Sequence, residues 1–432
     1  MTSPPAFRSS RVPASGPFLQ MDIAKTAARK NGVVVVDLSI GASDLAPPAE
    51  ALETLKASVD DPATHSYCLK SGTQPLLEAA VGWYGERYGL QLDPGAEALS
   101  LIGAQEGLAH ALLAVADAGD AILMTEVAYP SYFGAVQVAG LQPVYMRLGP
   151  DLLPLLDAVE QADLRRAKVL LLNYPNNPTS AVASAEFFQR AIDLCRANGI
   201  LLIHDNPYVD LVFGGGTSPS PLCLPGGREC VLELFSFAKS FHLGGFRLGF
   251  ALGNRNAIAS LEAVKGPIDF NQYKGIMRMG ITCLGLPREV LLRDALVWQR
   301  RAAALVEALR REGCEVSMPT AALVSCLGGP EGTACHDVRA LVSLPLAAAA
   351  APPPGMYLWL RLPGQGADDV SFCQQLVART GVALAPGQGF GPGGRGFVRV
   401  ALVQPEEVLA TCAVQIVAAM REVGLQAAVP NA

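Results

Sequence analysis

Five short apolar runs, each closed by a polar or aromatic turn, constrain this chain more than any other feature. They are "LSLIG" (99–103), "DAILM" (120–124), "KVLLLN" (168–173), "GILLIHD" (199–205) and "VLELFSF" (231–237). Unbroken apolar runs of this length are strands buried on both faces, as in a parallel sheet. Segments with helical periodicity separate them. In "SAEFFQRAIDLCRANG" (184–199), Ser184 can cap a helix, and Phe187, Phe188, Ala191, Ile192 and Cys195 form one stripe. Gly199 stands where a left-handed C-terminal residue belongs. Strand–helix repetition predicts an α/β fold, a mostly parallel sheet covered by helices. After about residue 285 the pattern changes. "REVLLRDALVWQRRAAALVEALRREG" (288–313) reads as one long amphipathic helix leading into a second domain. A chain of 432 residues has length for two or three domains or subdomains.

Composition excludes several classes of partner. Half the residues are apolar and 17% are charged, enough for a large core. A net charge of −6 without a basic stripe argues against nucleic acid and anionic membranes. The ten cysteines are scattered without a CxxC pair and read as reduced thiols of an intracellular protein. The five histidines are isolated, so no metal site is expected. Residues 1–18 lack acids and an apolar core. That excludes a secretory signal and leaves plastid or mitochondrial import open beside a cytoplasmic location. The uncharged stretch 340–360 contains Pro345, Pro352, Pro353 and Pro354, which a membrane-spanning helix would not hold.

Ligands of parallel sheets bind where strands end and helices begin. Here those points read "GAQEG" (103–107), "AYPSY" (128–132), "NYPNNPT" (173–179), "HDNPY" (204–208) and "SFAKS" (236–240). Each alone is a turn signal; together they imply one site. A lysine amine such as Lys239 can form a Schiff base with an aldehyde cofactor. Asp205, ending a buried strand, can pair with a protonated ring nitrogen. Ser236, Arg247 and the helix start at Gly103, Ala104 and Gln105 offer a hydroxyl, a guanidinium fork and backbone amides to a phosphate. Asn177 and Tyr208 can donate to a phenolic oxygen, and Tyr129 can stack on an aromatic ring. That inventory describes pyridoxal 5′-phosphate.

The chain resembles the class I/II aminotransferases, enzymes of fold-type I that use this cofactor. The pattern S-x-x-K-x-x-x-x-x-G-x-R-x-G is matched by Ser236, Lys239, Gly245, Arg247 and Gly249. N-x-x-x-NPT is matched by 173–179, with Ser180 where the family usually has glycine. Asp205 and Tyr208 match D-x-x-Y, and Tyr67, Gly72 and Leu76 match Y-x-x-x-x-G-x-x-x-L. "HDNPYVDLVF", "IDFNQYKGI" and "PGQGFG" look most like a subgroup containing alanine and LL-diaminopimelate aminotransferases.

The resemblance implies a large cofactor-binding domain over 46–290 with a mostly parallel seven-stranded sheet. It also implies a smaller α+β domain from 18–45 and 291–432, and leaves 1–17 as an N-terminal extension. Lys239, Asp205 and Tyr208 become catalytic candidates. Gly103, Ala104, Gln105, Tyr67, Tyr129, Asn177, Ser236 and Arg247 join them as cofactor-binding candidates, and Gly41, Asn177 and Arg399 would bind substrate. Tyr132 stands where relatives can hold a histidine supporting the cofactor aspartate, and its hydroxyl can do the same. His204 and His110 read as packed neighbours rather than catalytic groups. Tyr67 would reach a neighbouring subunit, implying a homodimer with shared sites.

The implied reaction is transamination between an L-amino acid and a 2-oxo acid. The donor would be alanine, glutamate, aspartate or LL-diaminopimelate. Another reaction on the same fold, a C–S β-lyase or a 1-aminocyclopropane-carboxylate synthase type, uses the same lysine and aspartate and stays open. A nucleotide-binding protein would want GxGxxG or a P-loop, and neither occurs at a strand–helix junction. One segment departs from the family. Residues 322–354 intervene where "EVSMPTA" would lead directly into "GMYLWLRLP". They are expected to be a disordered insertion, either an unspliced-intron translation or a lineage-specific loop. His336 and Asp337 within it are expected to take no part in catalysis.

Overall fold

The computed structural model describes residues 16–212, 217–314, 355–364 and 366–427. Its strands are β1 (Val36–Asp37), β2 (Ala98–Leu101), β3 (Ala121–Thr125), β4 (Gln142–Met146), β5 (Ala167–Leu172) and β6 (Leu201–Asp205). They continue with β7 (Val231–Ser236), β8 (Gly249–Gly253), β9 (Tyr357–Arg361), β10 (Val382–Ala383), β11 (Ala385–Pro386) and β12 (Phe397–Ala401). Seven of them form one sheet in the order β2-β8-β7-β6-β5-β3-β4. The pairings from β4 through β3, β5 and β6 to β7 are parallel. β8 alone runs against its neighbours β2 and β7. The expected seven-stranded, mostly parallel sheet is the one observed.

The five apolar runs become β2, β3, β5, β6 and β7, and all five strands are buried almost throughout. Helices cover the sheet. The one over Ala185–Asn198 starts at Ser184, whose side chain accepts from Phe187 N, and stops at Gly199 with φ 66°. All five residues of its predicted stripe are buried. Burying such side chains contributes about 1.5–3 kcal/mol each for the larger ones.

A second body of structure gathers around other strands. β11, β12 and β9 form an antiparallel sheet, and β1 pairs in parallel with β10. The predicted long helix spans Arg288–Arg311. Its Trp298, Ala302, Leu305 and Leu309 pack into an apolar cluster with Met21, Leu38, Leu376, Val400 and Ile416. Among the described residues, only Tyr208 and Leu211 enter that cluster from the region of the large sheet. The segment 322–354 lies outside the described residues, as do residues 1–15. No helix among the described residues is long and apolar enough to cross a membrane.

Candidate active site

A cavity of about 560 Å³ lies between the two bodies. Asn173, Asp205 and Ser236 line it from the C-terminal ends of β5, β6 and β7. Tyr357 of β9, Arg399 of β12 and the loop through Gly41 line its other side.

Asp205 is the last residue of β6 and is 7% exposed. Its Oδ2 accepts the Tyr132 hydroxyl at 2.6 Å, while Oδ1 is buried without a partner among the described residues. Burial pushes its carboxyl up to about 6; the Tyr132 bond and the charge of His204 pull the other way. An orphaned carboxylate oxygen is costly, so this atom is arranged for a donor that the chain itself does not supply. Behind it, Asn173 Nδ2 donates to the Asp205 carbonyl at 2.7 Å. His204 is fully buried, bonded to Glu233 at 2.8 Å and to the Tyr174 carbonyl at 3.0 Å. It packs behind the sheet, as expected, and does not line the cavity.

Lys239 lies on a single helical turn, Phe237–Ser240, that follows β7 directly. Ser236 caps that turn by accepting from Ala238 N at 3.2 Å. The Lys239 ammonium donates to the Gly41 carbonyl and sits 5.7 Å from the Tyr208 ring centre. A Cβ at position 41 would run into the Tyr357 hydroxyl, so glycine leaves that hydroxyl its place.

Arg399 is 4% exposed and anchors a directed chain of hydrogen bonds. Its Nη2 donates to Ser39 O at 2.6 Å and its Nη1 to Asn177 Oδ1 at 2.9 Å. That contact orients the amide, so Asn177 Nδ2 faces the Tyr208 hydroxyl at 3.3 Å. Arg399 Nε is buried and unpartnered among the described residues. A donor with no acceptor on a buried guanidinium suits an incoming carboxylate.

The phosphate candidates meet at the start of the helix Ala104–Val115. Gly103 has φ 85°, and a Cβ there would lie 2.6 Å from Arg247 Nη2. Glycine thus lets the guanidinium lie beside the helix N-terminus, so that its donors and the free backbone amides can face one anion. Arg247 itself has φ 54° and donates to Gly244 O at 2.9 Å. Ala104, Gln105, Tyr129, Ser236 and Arg247 all line the cavity. Tyr67 does not: it is 86% exposed and rests on Phe270, 5.8 Å between ring centres.

Sequence reasoning passed over two groups here. Tyr357 lines the cavity with its hydroxyl 3.0 Å from that of Tyr208. His242 also lines it, joining Ser43 Oγ at 2.8 Å to Asp294 Oδ2 at 3.0 Å. Away from the cavity, Glu106, His110 and Asp269 are close enough to share an ion. The Lys265 ammonium already occupies that position, 3.2 Å from Glu106 and 2.7 Å from Asp269.

The residues fit pyridoxal 5′-phosphate. The free oxygen of Asp205 suits a ring N–H, and Asn177 and Tyr208 suit a phenolic oxygen. Ser236, Arg247 and the Gly103 helix start suit a phosphate, and Lys239 stands within the same cavity.

A family model described as aminotransferase class I and II matches residues 33–414. The LL-diaminopimelate aminotransferase of Dehalococcoides mccartyi is 35% identical over 405 residues, 93% of this chain and 96% of that protein. That of Gloeobacter violaceus is 35% identical over 407 residues, 93% and 95% of the two chains. A solved structure described as a probable N-succinyldiaminopimelate aminotransferase from Thermus thermophilus is 51% identical. It superposes with a TM-score of 0.83 over 94% of this chain and all of that one.

Proposed function

The chain belongs to the class I and II aminotransferases, and from that premise we propose that its amino donor is a diaminopimelate-type diamino dicarboxylic acid. The protein is an enzyme dependent on pyridoxal 5′-phosphate that moves an amino group from an amino acid to a 2-oxo acid. Two kinds of relative support the choice of donor. The curated relatives are named for LL-diaminopimelate, and the 51% identical structure is named for its N-succinyl derivative. A lyase or cyclopropane-forming reaction is not favoured by these relatives.

When bound, the cofactor supplies an electron-accepting ring and the carbon that carries the amino group. The rest is the work of this chain's side chains. Asp205 holds a proton on the ring nitrogen through its free Oδ1. Asn177 and Tyr208 hold the phenolic oxygen, and Tyr129 packs against the ring. Ser236, Arg247 and the amides after Gly103 hold the phosphate. Arg399 binds the substrate α-carboxylate, beside the Gly41 backbone. Lys239 Nζ takes the proton that leaves the substrate Cα and would deliver it to the carbon that carries the amino group. The two half-reactions alternate, so kinetics are ping-pong.

The proposed division is a large domain over 46–290 and a small one over 18–45 and 291–432, with the cavity between. The proposed unit is a homodimer located in the cytoplasm. Exposed Tyr67, Leu69, Ile268 and Phe270 are apolar surface suited to a second copy. The observation that carries the site assignment is the unpartnered Oδ1 of Asp205 in the cavity that holds Lys239. The test of the donor is a panel of LL-diaminopimelate, its N-succinyl derivative, alanine, glutamate and aspartate against 2-oxoglutarate and pyruvate. The reading requires the highest kcat/KM for a diaminopimelate-type donor; a higher value for alanine or aspartate would replace it.

A further inference from the structure

Three buried tyrosines line the cavity, and one of them has no place in the account above. Tyr132 serves Asp205 and Tyr208 serves the phenolic oxygen. Tyr357 is 2% exposed and has neither task. It is nevertheless held from several sides. β9 pairs with β12 so that Tyr357 lies opposite Ala401, two residues from Arg399. The Arg399 guanidinium stacks 4.4 Å from its ring centre. Its carbonyl accepts the Ser180 hydroxyl at 2.8 Å, and Ser180 has φ 59°. Its hydroxyl fills the space over Gly41 where any Cβ would sit.

The direction of the hydrogen bonds around this hydroxyl can be worked out. A guanidinium only donates, so Arg399 Nη1 must meet the oxygen of the Asn177 amide. The amide nitrogen then donates to Tyr208 Oη. In the cofactor-free chain Tyr208 Oη, already accepting, has its own proton left for Tyr357 Oη at 3.0 Å, and turns it to the phenolic oxygen when the cofactor binds. The Lys239 ammonium, held at the Gly41 carbonyl, lies beside the space over Gly41 that the Tyr357 hydroxyl fills. Tyr357 thus ends the chain from Arg399, and the Lys239 ammonium meets it at Gly41. Burial alone would raise its phenol, as it raises Tyr132 and Tyr208. At Tyr357 the charges of Lys239 and Arg399, with the Tyr208 hydrogen bond, outweigh burial and lower it.

We propose that Tyr357 is the positioning residue of Lys239: its oxygen fixes the lysine nitrogen relative to the substrate Cα. This rests on the roles given to Lys239 and Arg399 under Proposed function. A carbonyl, Gly41 O, and a phenol oxygen hold two of the lysine's hydrogens, and this aims the remaining position at the bound amino acid. The contact is made and broken as Lys239 gains and loses the substrate proton, so its effect falls on the proton-transfer step. Binding through Arg399 is spared, because the ring that stacks on the guanidinium survives removal of the hydroxyl.

The test is Tyr357→Phe in the holoenzyme. The turnover number is expected to fall about 10- to 100-fold, the rate equivalent of one charge-assisted hydrogen bond. The isotope effect with α-deuterated substrate should rise, while KM changes less than about 3-fold, as for an interaction made mainly in the transition state. A structural role alone would not raise the isotope effect, and an unchanged isotope effect overturns the proposal. A second measurement needs no activity. In the cofactor-free full chain, tyrosinate absorbance should show one tyrosine ionising at lower pH than the others. That phase should vanish in Tyr357→Phe and move to higher pH in Lys239→Met, which covers the case of a Phe variant that does not fold. A phase unmoved in Lys239→Met contradicts the proposal. Lys239→Ala separates the two levels of the account. Transamination surviving in it would refute the catalytic assignment itself. Its loss, with Tyr357→Phe behaving like the parent, would refute only the inference about Tyr357.

Discussion

The two walls of the cavity are built on opposite electrostatic plans. The wall at the ends of β5, β6 and β7 carries a buried carboxylate with an empty oxygen and a pKa pushed up to about 6. The wall formed by β9, β12 and the Gly41 loop carries Arg399 and receives the Lys239 ammonium from the facing wall, and both cations are met by backbone carbonyls and ring faces. The first wall lacks a positive partner and the second has only neutral ones. A cationic ring nitrogen completes one, and a substrate carboxylate completes the other. The difference teaches that each wall is built for the charge it is to receive.

The comparison breaks most visibly at Lys239. Lys239→Ala should abolish transamination and the visible absorbance of the covalently held cofactor, read by spectrophotometry. A parent-like spectrum would show that another lysine carries it.

Asp205→Asn tests the carboxylate wall and should act with opposite signs on activity and apo stability. Losing one partner of a buried charge pair costs about 3–5 kcal/mol, which corresponds to a fall in turnover of roughly 10²–10³-fold if most of it falls on the transition state. In the cofactor-free chain the sign reverses. The folded pKa of about 6 lies above the unfolded value near 3.8, so the native state binds more protons between those pH values. Stability contributed by the protonated form is full below about pH 4 and is lost as pH rises through about 6, a change on the order of 3 kcal/mol. Asp205→Asn should remove that loss and raise the apo melting temperature at pH 7. Denaturation of both apo proteins at pH 4 and pH 7 measures it.

Arg399→Lys tests the cationic wall. A point charge does not reproduce the guanidinium fork, so KM should rise for every amino acid, by about 10-fold or more. A rise confined to one donor would make Arg399 a selector of side chains instead.

The smallest effect is expected for Tyr132→Phe. It removes a hydrogen bond that holds the Asp205 carboxylate ionised, so the acidic limb of the rate profile should move to higher pH while the maximum changes by only a few-fold. An unmoved limb would mean that Tyr132 merely packs.

How much of this was legible depended on burial. β2, β3, β5, β6 and β7 are buried on both faces and read as unbroken apolar runs. β4 escaped because it is an edge strand with exposed Gln142 and Pro143. β8 escaped because "GFALG" sits among glycines that mark a turn, although Gly249 is there for close packing: a Cβ would lie 2.6 Å from Phe235 O. The carboxylate wall lies in strand-end motifs of fixed spacing, so Asn173, Asp205 and Tyr208 could be singled out together. The cationic wall draws on residues from both ends of the chain. Arg399 and Gly41 stood out through motif resemblance alone. Tyr357 follows closely on the anomalous 322–354 segment, with no spacing to tie it to Lys239. His242 lies inside the lysine motif, and its partners Ser43 and Asp294 are 199 and 52 positions away.

The most direct test of the account is a single half-reaction. Holoenzyme is mixed with LL-diaminopimelate without an oxo-acid acceptor, and released 2-oxo acid and ammonia are measured against enzyme. Lys239 and Asp205 acting as described predict a stoichiometric burst of 2-oxo acid that stops, no ammonia, and resumption on adding 2-oxoglutarate. Continuous release of oxo acid and ammonia without an acceptor would contradict transamination and mark the site as an eliminating one.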